Sequence, residues 1–151
     1  MPQGKITMKI SLCTDAELLL SQQAYEVYAP CMYRPSFDKY ESKMQTYLCD
    51  PKISVYICEV NSSAAGILVT DSSDDGICEI VGIAVSEKCR KQGIGRKMIA
   101  FAMDDVKTDR LVAQTDDDAV GFYLSCGFTA EKSIVEYPDG TAVRYECCLR
   151  R

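Results

Sequence analysis

A loop with two glycines and several basic residues is the segment of the sequence best suited to bind a ligand for chemistry. The loop runs from Arg90 to Gly95 and joins an apolar, β-branched run to an amphipathic segment. Gly93 and Gly95 remove side chains where the backbone must turn, which leaves successive N–H groups free to face an anion. A helix that begins there adds the positive end of its dipole. The loop therefore predicts a cradle for a pyrophosphate.

The charge distribution supports a phosphate-rich ligand at this loop. The chain has 17 Lys and Arg against 22 Asp and Glu, a formal net charge of −5. Five of the basic residues nevertheless fall between positions 88 and 97, with no acid among them: Lys88, Arg90, Lys91, Arg96 and Lys97. The rest of the chain is acidic. This argues against a nucleic-acid partner, which needs a broad basic surface on the protein, and favours a cationic or neutral partner.

The residue types exclude several kinds of site. Because the chain has no histidine, it cannot form a Ser-His-Asp triad, a Cys-His pair or a histidine-ligated metal site. Its nine cysteines are scattered, without a CxxC pair, which favours free thiols in a reducing cytosol over disulfides or a metal. The motifs GxxxxGK[ST] and GxGxxG are absent, so a P-loop hydrolase and a dinucleotide fold are both disfavoured.

The segment before the loop predicts four strands and two helices. Apolar and polar residues alternate from Ile6 onward, over residues 6–12, as in a half-buried strand. A capping box that starts at Thr14 opens a helix that ends near Pro30, and Ser36 opens a second helix that Asp50 and Pro51 stop. Three β-branched runs follow, and the polar stretches between them, 61–63 and 71–76, predict antiparallel pairing of strands at 53–60, 66–70 and 77–85.

The segment after the loop completes a mixed sheet. It predicts a helix over about 94–106, a short strand over 110–115, a helix over about 117–126 stopped by Gly127, and two strands joined at 137–140. The element order β-α-α-β-β-β-α-β-α-β-β predicts one domain over residues 1–151. Its fold class is an α/β (α+β) sandwich, with a mixed, mostly antiparallel sheet of about seven strands and four helices.

The loop resembles a motif of a known superfamily. Arg90-Lys-Gln-Gly93-Ile-Gly95 is similar to the R/Q-x-x-G-x-G/A loop of the GNAT superfamily, the acyl-coenzyme-A-dependent N-acyltransferases. The preceding strand, the following helix and the later segment 119–128 also occur in the order typical of this superfamily, so the resemblance covers about residues 53–128. It implies a GNAT-like acyltransferase domain that uses acetyl-CoA and no metal.

The resemblance also implies the residues that bind acetyl-CoA. In the superfamily the loop binds the pyrophosphate, and the end of the strand before it pairs with the pantetheine arm. On this chain the expected binding residues are Ile83, Ala84, Val85, Arg90, Lys91, Gln92, Gly93, Ile94, Gly95, Arg96, Asp116 and Tyr123. Asp116 is a departure, because the superfamily often has an asparagine there; helix capping is an alternative explanation for an aspartate at this position.

Two residues are implied as catalytic groups. Tyr123 resembles the tyrosine that protonates the departing thiolate, and Glu79 resembles the glutamate that acts as general base in histone-acetylating members. The alternative for Tyr123 is a packed helix residue whose hydroxyl is satisfied by a hydrogen bond. The alternative for Glu79 is an ordinary exposed strand residue, in which case ordered water acts as the base. Gln114 occupies a position where peptide-modifying members carry a glutamate, and glutamine cannot act as a base.

The implied reaction is direct transfer of an acetyl group from acetyl-CoA to a primary amine, with a small-molecule acceptor favoured. A protein or peptide N-acetyltransferase and a non-catalytic acyl-CoA-binding regulatory module are the alternatives. Candidate acceptor residues are Tyr28, Tyr33, Arg34 and Tyr40, each with a core or surface role as its alternative. The first residues contain no apolar targeting segment and no run is long enough to span a membrane, so we expect a cytoplasmic protein, with a homodimer possible by analogy.

Overall fold

The computed structural model describes residues 7–74, 76–106 and 108–151. Two predicted positions, Ile6 in the first strand and Asp75 in a turn, lie outside these residues. The strands are β1 (Met8–Leu12), β2 (Ile53–Val60), β3 (Ser63–Asp71), β4 (Ile77–Val85), β5 (Arg110–Thr115), β6 (Thr129–Tyr137) and β7 (Gly140–Arg150). The helices are α1 (Ala16–Leu19), α2 (Gln22–Tyr28), α3 (Phe37–Cys49), α4 (Ile94–Asp105) and α5 (Val120–Ser125), with 3₁₀ turns at Ala29–Cys31 and Glu87–Cys89. The predicted mixed sheet and its element order are confirmed.

The first predicted helix is divided into two. Asp15, rather than Thr14, caps α1, since its carboxylate accepts from the N–H groups of Glu17 at 3.0 Å and Leu18 at 3.2 Å. The Ser21 hydroxyl then accepts from the N–H of Ala24 at 3.1 Å and caps a second helix. The protein therefore has five α-helices where the sequence predicts four.

The seven strands form one sheet in the order β1-β2-β3-β4-β5-β7-β6. All neighbours are antiparallel except β4 and β5, which run parallel and pair only from Ile77 with Arg110 to Glu79 with Val112. Beyond that point β4 stays paired with β3 as far as Val85, while β5 stays paired with β7. The two strands therefore diverge, and the sheet opens into a V just after Glu79.

The two faces of the sheet are covered differently. On one face, α4 and α5 pack on a core that includes Leu68, Ile80 and Leu111. On the other face, α1, α2 and α3 pack over β2, β3 and β4. On that second face Glu79, Glu131 and Glu146 are exposed, so the half of the sheet formed by β5, β7 and β6 presents polar side chains to solvent. In the described part of the chain, no helix is long and apolar enough to cross a membrane.

Candidate active site

The glycine loop forms the N-terminus of α4. Gly93 is the N-cap, with φ at 75°, in the left-handed region that favours glycine. The first helical hydrogen bond runs from the N–H of Lys97 to the carbonyl of Gly93 at 3.0 Å. The N–H groups of Ile94, Gly95 and Arg96 precede this bond, so the helix itself gives them no acceptor. They are the donors that the sequence predicts for an anion.

Gly95 has a different role from the predicted one. It lies inside the first turn of α4, and a Cβ there would be 2.9 Å from both Cε1 and Cζ of Phe122. Around Gly93, by contrast, a Cβ would meet nothing within 4 Å. Gly93 is therefore required by backbone conformation, whereas Gly95 lets α5 pack against the start of α4.

A cleft of about 820 Å³ lies where β4 and β5 diverge, between the N-terminus of α4 and α5. The predicted residues that line it are Ile83, Ala84, Val85, Arg90, Lys91, Gly93, Ile94, Gly95, Arg96, Asp116 and Tyr123. Two predicted residues are not among those that line this cleft. Gln92 is exposed at the surface, and Glu79 lines an adjoining groove.

Positive charge is concentrated at the α4 end of the cleft. The Arg90 Nε donates to the carbonyl of Val85 at 3.4 Å, which holds this side chain beside the end of β4. The guanidinium of Arg96 donates to the carbonyl of Ser125, the last residue of α5. Arg90, Lys91 and Arg96 thus surround the free N–H groups of the helix, an arrangement suited to phosphate groups.

Tyr123 is held rigidly at the side of the cleft. Its ring packs edge-on between Phe122 and Phe128, with centroid distances of 5.3 Å to each. The residue is 6% exposed and lines the cleft. Burial raises the pKa of Tyr123 to about 12, and the nearby Cys147, Cys31 and Cys126 thiols add to the shift. The phenol is therefore neutral at pH 7 and can donate a proton or a hydrogen bond.

The segment around Tyr123 is fixed at both ends. Before it, the Asp116 carboxylate accepts from the N–H groups of Asp118 and Ala119, each at 3.1 Å. After it, the N–H of Phe128 donates to the carbonyl of Tyr123 at 3.1 Å, and Gly127 has the positive φ of a helix C-terminus. Asp116 thus orders the turn that precedes α5 as well as lining the cleft, and the predicted stop of the helix at Gly127 is confirmed.

Glu79 lies at the base of the V, on the opposite side of the sheet from α4. It is the last residue of β4 that pairs with β5, and its side chain lines a groove of about 600 Å³. Gln114 lines both this groove and the cleft that contains Tyr123. The two predicted catalytic residues therefore occupy connected sites rather than one pocket.

The predicted acceptor residues separate into three groups. Tyr40 is fully buried and its hydroxyl donates to the carbonyl of Leu19 at 2.5 Å, so it belongs to the core. Tyr33 is 82% exposed and the Arg34 guanidinium lies over its ring, outside the cleft. Tyr28 is buried, and its hydroxyl lies directly over Gly82. A Cβ on Gly82 would be 2.2 Å from the Tyr28 hydroxyl oxygen.

Cys31 and Arg144 are among the cleft residues that sequence reasoning missed. Cys31 lines the cleft, and its thiol donates to the carbonyl of Ile83 at 3.3 Å, on the edge of β4 that β5 leaves open. Desolvation raises the pKa of this thiol. Arg144 reaches the cleft from β7. No sequence motif marks either residue, because both are brought to the cleft by tertiary packing.

The fold and the cleft define a class of protein that binds an anionic ligand where two parallel strands separate. The described residues contain no group of His, Cys, Asp and Glu that could hold a metal ion. The model of the acetyltransferase (GNAT) family matches residues 21–128. The chain therefore belongs to this family, as the glycine loop predicts.

Solved structures with the same fold agree with this assignment. The ribosomal-protein-S18-alanine N-acetyltransferase of Escherichia coli is 18% identical, with a TM-score of 0.71 over 95% of this chain and 94% of that one. A GNAT family acetyltransferase from Elizabethkingia anophelis with acetyl-CoA bound is 19% identical, with a TM-score of 0.67 over 95% and 98%. An acetyltransferase from Thermus thermophilus is 20% identical, with a TM-score of 0.66 over 95% and 97%. No curated protein is similar enough in sequence to count as a match.

Proposed function

We propose that this protein transfers the acetyl group of acetyl-CoA to the primary amine of a small molecule. The observation that carries the proposal is the cleft at the divergence of β4 and β5, which has a cationic helix N-terminus at one end and the Tyr123 hydroxyl along its side. These are the two things that a thioester of a phosphate-rich coenzyme needs: a phosphate cradle and a proton donor at the sulfur.

The described residues fit acetyl-CoA as the acyl donor. The free N–H groups of Ile94, Gly95 and Arg96 and the side chains of Arg90 and Lys91 would hold its pyrophosphate. The edge of β4 at 83–85 would pair with the pantetheine arm, because β5 has left that edge open. A valine or larger side chain at Gly95 would push Phe122 out of place, so the cradle and α5 depend on each other.

Glu79 and Tyr123 would divide the proton transfers. A protonated amine cannot attack a carbonyl carbon, so Glu79 takes one proton from the amine, through a water in the groove that adjoins the cleft. As the C–N bond forms and the C–S bond breaks, Tyr123 donates a proton to the departing sulfur, and the second proton that the nitrogen loses returns Tyr123 to its neutral form. The burial that disfavours a tyrosinate also disfavours a thiolate beside it, so the phenol remains a useful donor although its pKa is raised to about 12.

Positioning would supply much of the rate. Holding the amine and the thioester in contact converts a bimolecular aminolysis into a reaction within one complex. A backbone N–H on the open edge of β4 would polarise the thioester carbonyl. We place this activity in the cytoplasm, where nine free cysteines remain reduced; a homodimer remains an expectation from the superfamily.

The proposal is tested by measuring thiol release from acetyl-CoA with a panel of diamines, amino acids and short peptides, and by identifying the acetylated product by mass spectrometry. We expect thiol release that requires both the protein and a small primary amine. Acetylation of peptides alone would contradict the small-molecule acceptor. Tight binding of acetyl-CoA without any amine-dependent release would instead indicate a regulatory module that binds the coenzyme and does not turn it over.

A further inference from the structure

We propose that the exposed face of β5, β7 and β6 is the acceptor subsite, and that it binds an acceptor carrying an amine at one end and a carboxylate at the other. This inference rests on the proposed function and adds the chemical class of the acceptor. It is carried by the register of charged side chains across three strands, which the structure shows and the sequence does not.

The subsite is the groove that contains Glu79. It crosses the part of the second face that α1, α2 and α3 leave uncovered, and it is lined along its middle by Val112, Cys148 and Thr129, which pair in one row. Gln114 connects it to the cleft where Tyr123 lies. An acceptor in the groove would therefore reach the acetyl group from the side opposite the phosphate cradle.

Two arginines and one aspartate, Asp74, line one end of the groove, which gives that end a net positive charge. Arg110 on β5 lies directly opposite Arg150 on β7, and both side chains line the groove. Like charges at directly opposed positions are destabilising, unless an anion binds between them. Arg90, Arg96 and Arg151 each donate to a backbone carbonyl. The guanidinium groups of Arg110 and Arg150 have no such contact within the described part of the chain and are suited to hold a carboxylate.

The other end of the groove is negatively charged and lies beside the cleft. Glu146 on β7 is directly opposite both Gln114 on β5 and Glu131 on β6. Glu79 pairs with Val112, so it lies in the row between the row of Glu146 and the row of Arg110 and Arg150. The acidic end therefore adjoins the place where the amine must react, and it would hold that amine while Glu79 accepts a proton.

The register sets the length of the acceptor. The arginine row and the Glu146 row are four residues apart on β5 and on β7, about 13 Å along each strand, and arginine and glutamate side chains span part of that distance. An amine and a carboxylate joined by several methylene groups would fit between them. An ω-amino acid of the length of 6-aminohexanoate is the matching probe.

The test compares two acceptors that differ only in charge, 6-aminohexanoate and 6-aminohexanamide, with cadaverine as a purely cationic third. We expect kcat/KM for the acid to exceed that for the amide by about tenfold, because two charge-assisted contacts are gained. The double variant Arg110→Gln/Arg150→Gln should remove this preference and leave kcat/KM for the amide and the KM for acetyl-CoA unchanged. Lys132→Gln, a loss of one positive charge on the opposite face of β6, should leave the preference intact.

The outcomes separate this inference from the proposed function. If the amide or cadaverine is acetylated as well as the acid, or if the arginine substitutions leave the preference unchanged, the subsite is wrong although the acetyltransferase activity stands. If no amine is acetylated, calorimetric titration of the CoA-saturated protein with the acid and with the amide tests the subsite directly; equal affinities overturn it. If the double variant does not fold, as judged by thermal unfolding, the exposed Arg150→Gln alone should lower the preference.

Discussion

The two sides of the proposed site are built in different ways. The donor side uses backbone groups from one continuous stretch of chain, the end of β4 and the start of α4, and a glycine that the backbone conformation requires. The acceptor side uses side chains from β4, β5, β6 and β7 that come together only through strand register. A backbone site tolerates few changes and leaves a motif in the sequence, whereas a side-chain site can be altered residue by residue to suit another acceptor.

The largest effect is expected from a substitution on the donor side, Gly93→Val. A β-branched residue is strained at a φ of 75°, so relieving the strain would turn the first N–H groups of α4 away from the phosphates. We expect acetyl-CoA affinity measured by calorimetry to fall by at least about a hundredfold, or about 2.7 kcal/mol.

Gly76 provides a matched control for that experiment. It has the same φ of 75° and the same open surroundings, but it lies in the turn before β4. Gly76→Val should lower thermal stability by a similar amount and leave coenzyme affinity unchanged. Equal losses of affinity in both variants would mean that the effect is general strain and not damage to the cradle.

Tyr123→Phe tests the proposed proton donor, which lies between the donor side and the acceptor side of the site. It removes one hydroxyl and keeps the ring between Phe122 and Phe128. Steady-state kinetics should show kcat reduced by about a hundredfold with little change in the KM for acetyl-CoA. Tyr137→Phe, in an exposed residue, is the control. Unchanged turnover in the Tyr123 variant would remove this residue from the mechanism.

Glu79→Gln tests the acceptor side and should have a smaller, pH-dependent effect. We expect kcat/KM for the amine to fall by about tenfold to a hundredfold at pH 7. The difference should narrow as the pH rises towards about 10.4, the pKa of a free alkylamine, because the amine then loses its proton without a base. Glu136→Gln should have no such effect, and a loss of activity that is the same at every pH would contradict a role as base.

The stability of the fold that both sides share should depend on pH. Burial raises the pKa of Tyr123 to about 12, and it also raises the pKa values of Tyr28, Tyr40 and Tyr56 above the usual 10. Above pH 10 the unfolded chain loses these protons while the folded protein keeps them, so folding stability is full below pH 10 and falls as the pH rises through the folded pKa values. Urea denaturation at pH 8 and pH 11 should show this loss; equal midpoints would contradict the burial of these phenols.

The same contrast explains what could be predicted from the sequence. The glycine loop, the strands at 53–60, 77–85 and 110–115 and the stop at Gly127 follow from local patterns, and the structure confirms them. The first predicted helix is divided because Asp15 caps α1 and Ser21 caps α2, and periodicity does not distinguish these two caps from a single cap at Thr14.

The acceptor side was harder to predict because its residues are distant in sequence. Tyr40 was a reasonable candidate, but its hydroxyl is satisfied in the core by the carbonyl of Leu19. The opposed pairs Arg110 with Arg150 and Glu131 with Glu146 require the antiparallel register of β5, β7 and β6, which no local sequence pattern specifies. Cys31 reaches Ile83 only because α2 packs beside β4.

The central claim is that the cleft beside α4 binds acetyl-CoA, and thermal unfolding with and without this ligand tests it most directly. At a ligand concentration about a hundred times the dissociation constant, binding should stabilise the fold by roughly 2.7 kcal/mol, which raises Tm by several degrees. We expect that increase for the wild-type protein and for Gly76→Val, and no increase for Gly93→Val. If acetyl-CoA does not raise the Tm of folded wild-type protein that is free of copurified coenzyme, the cleft is not the binding site for acetyl-CoA.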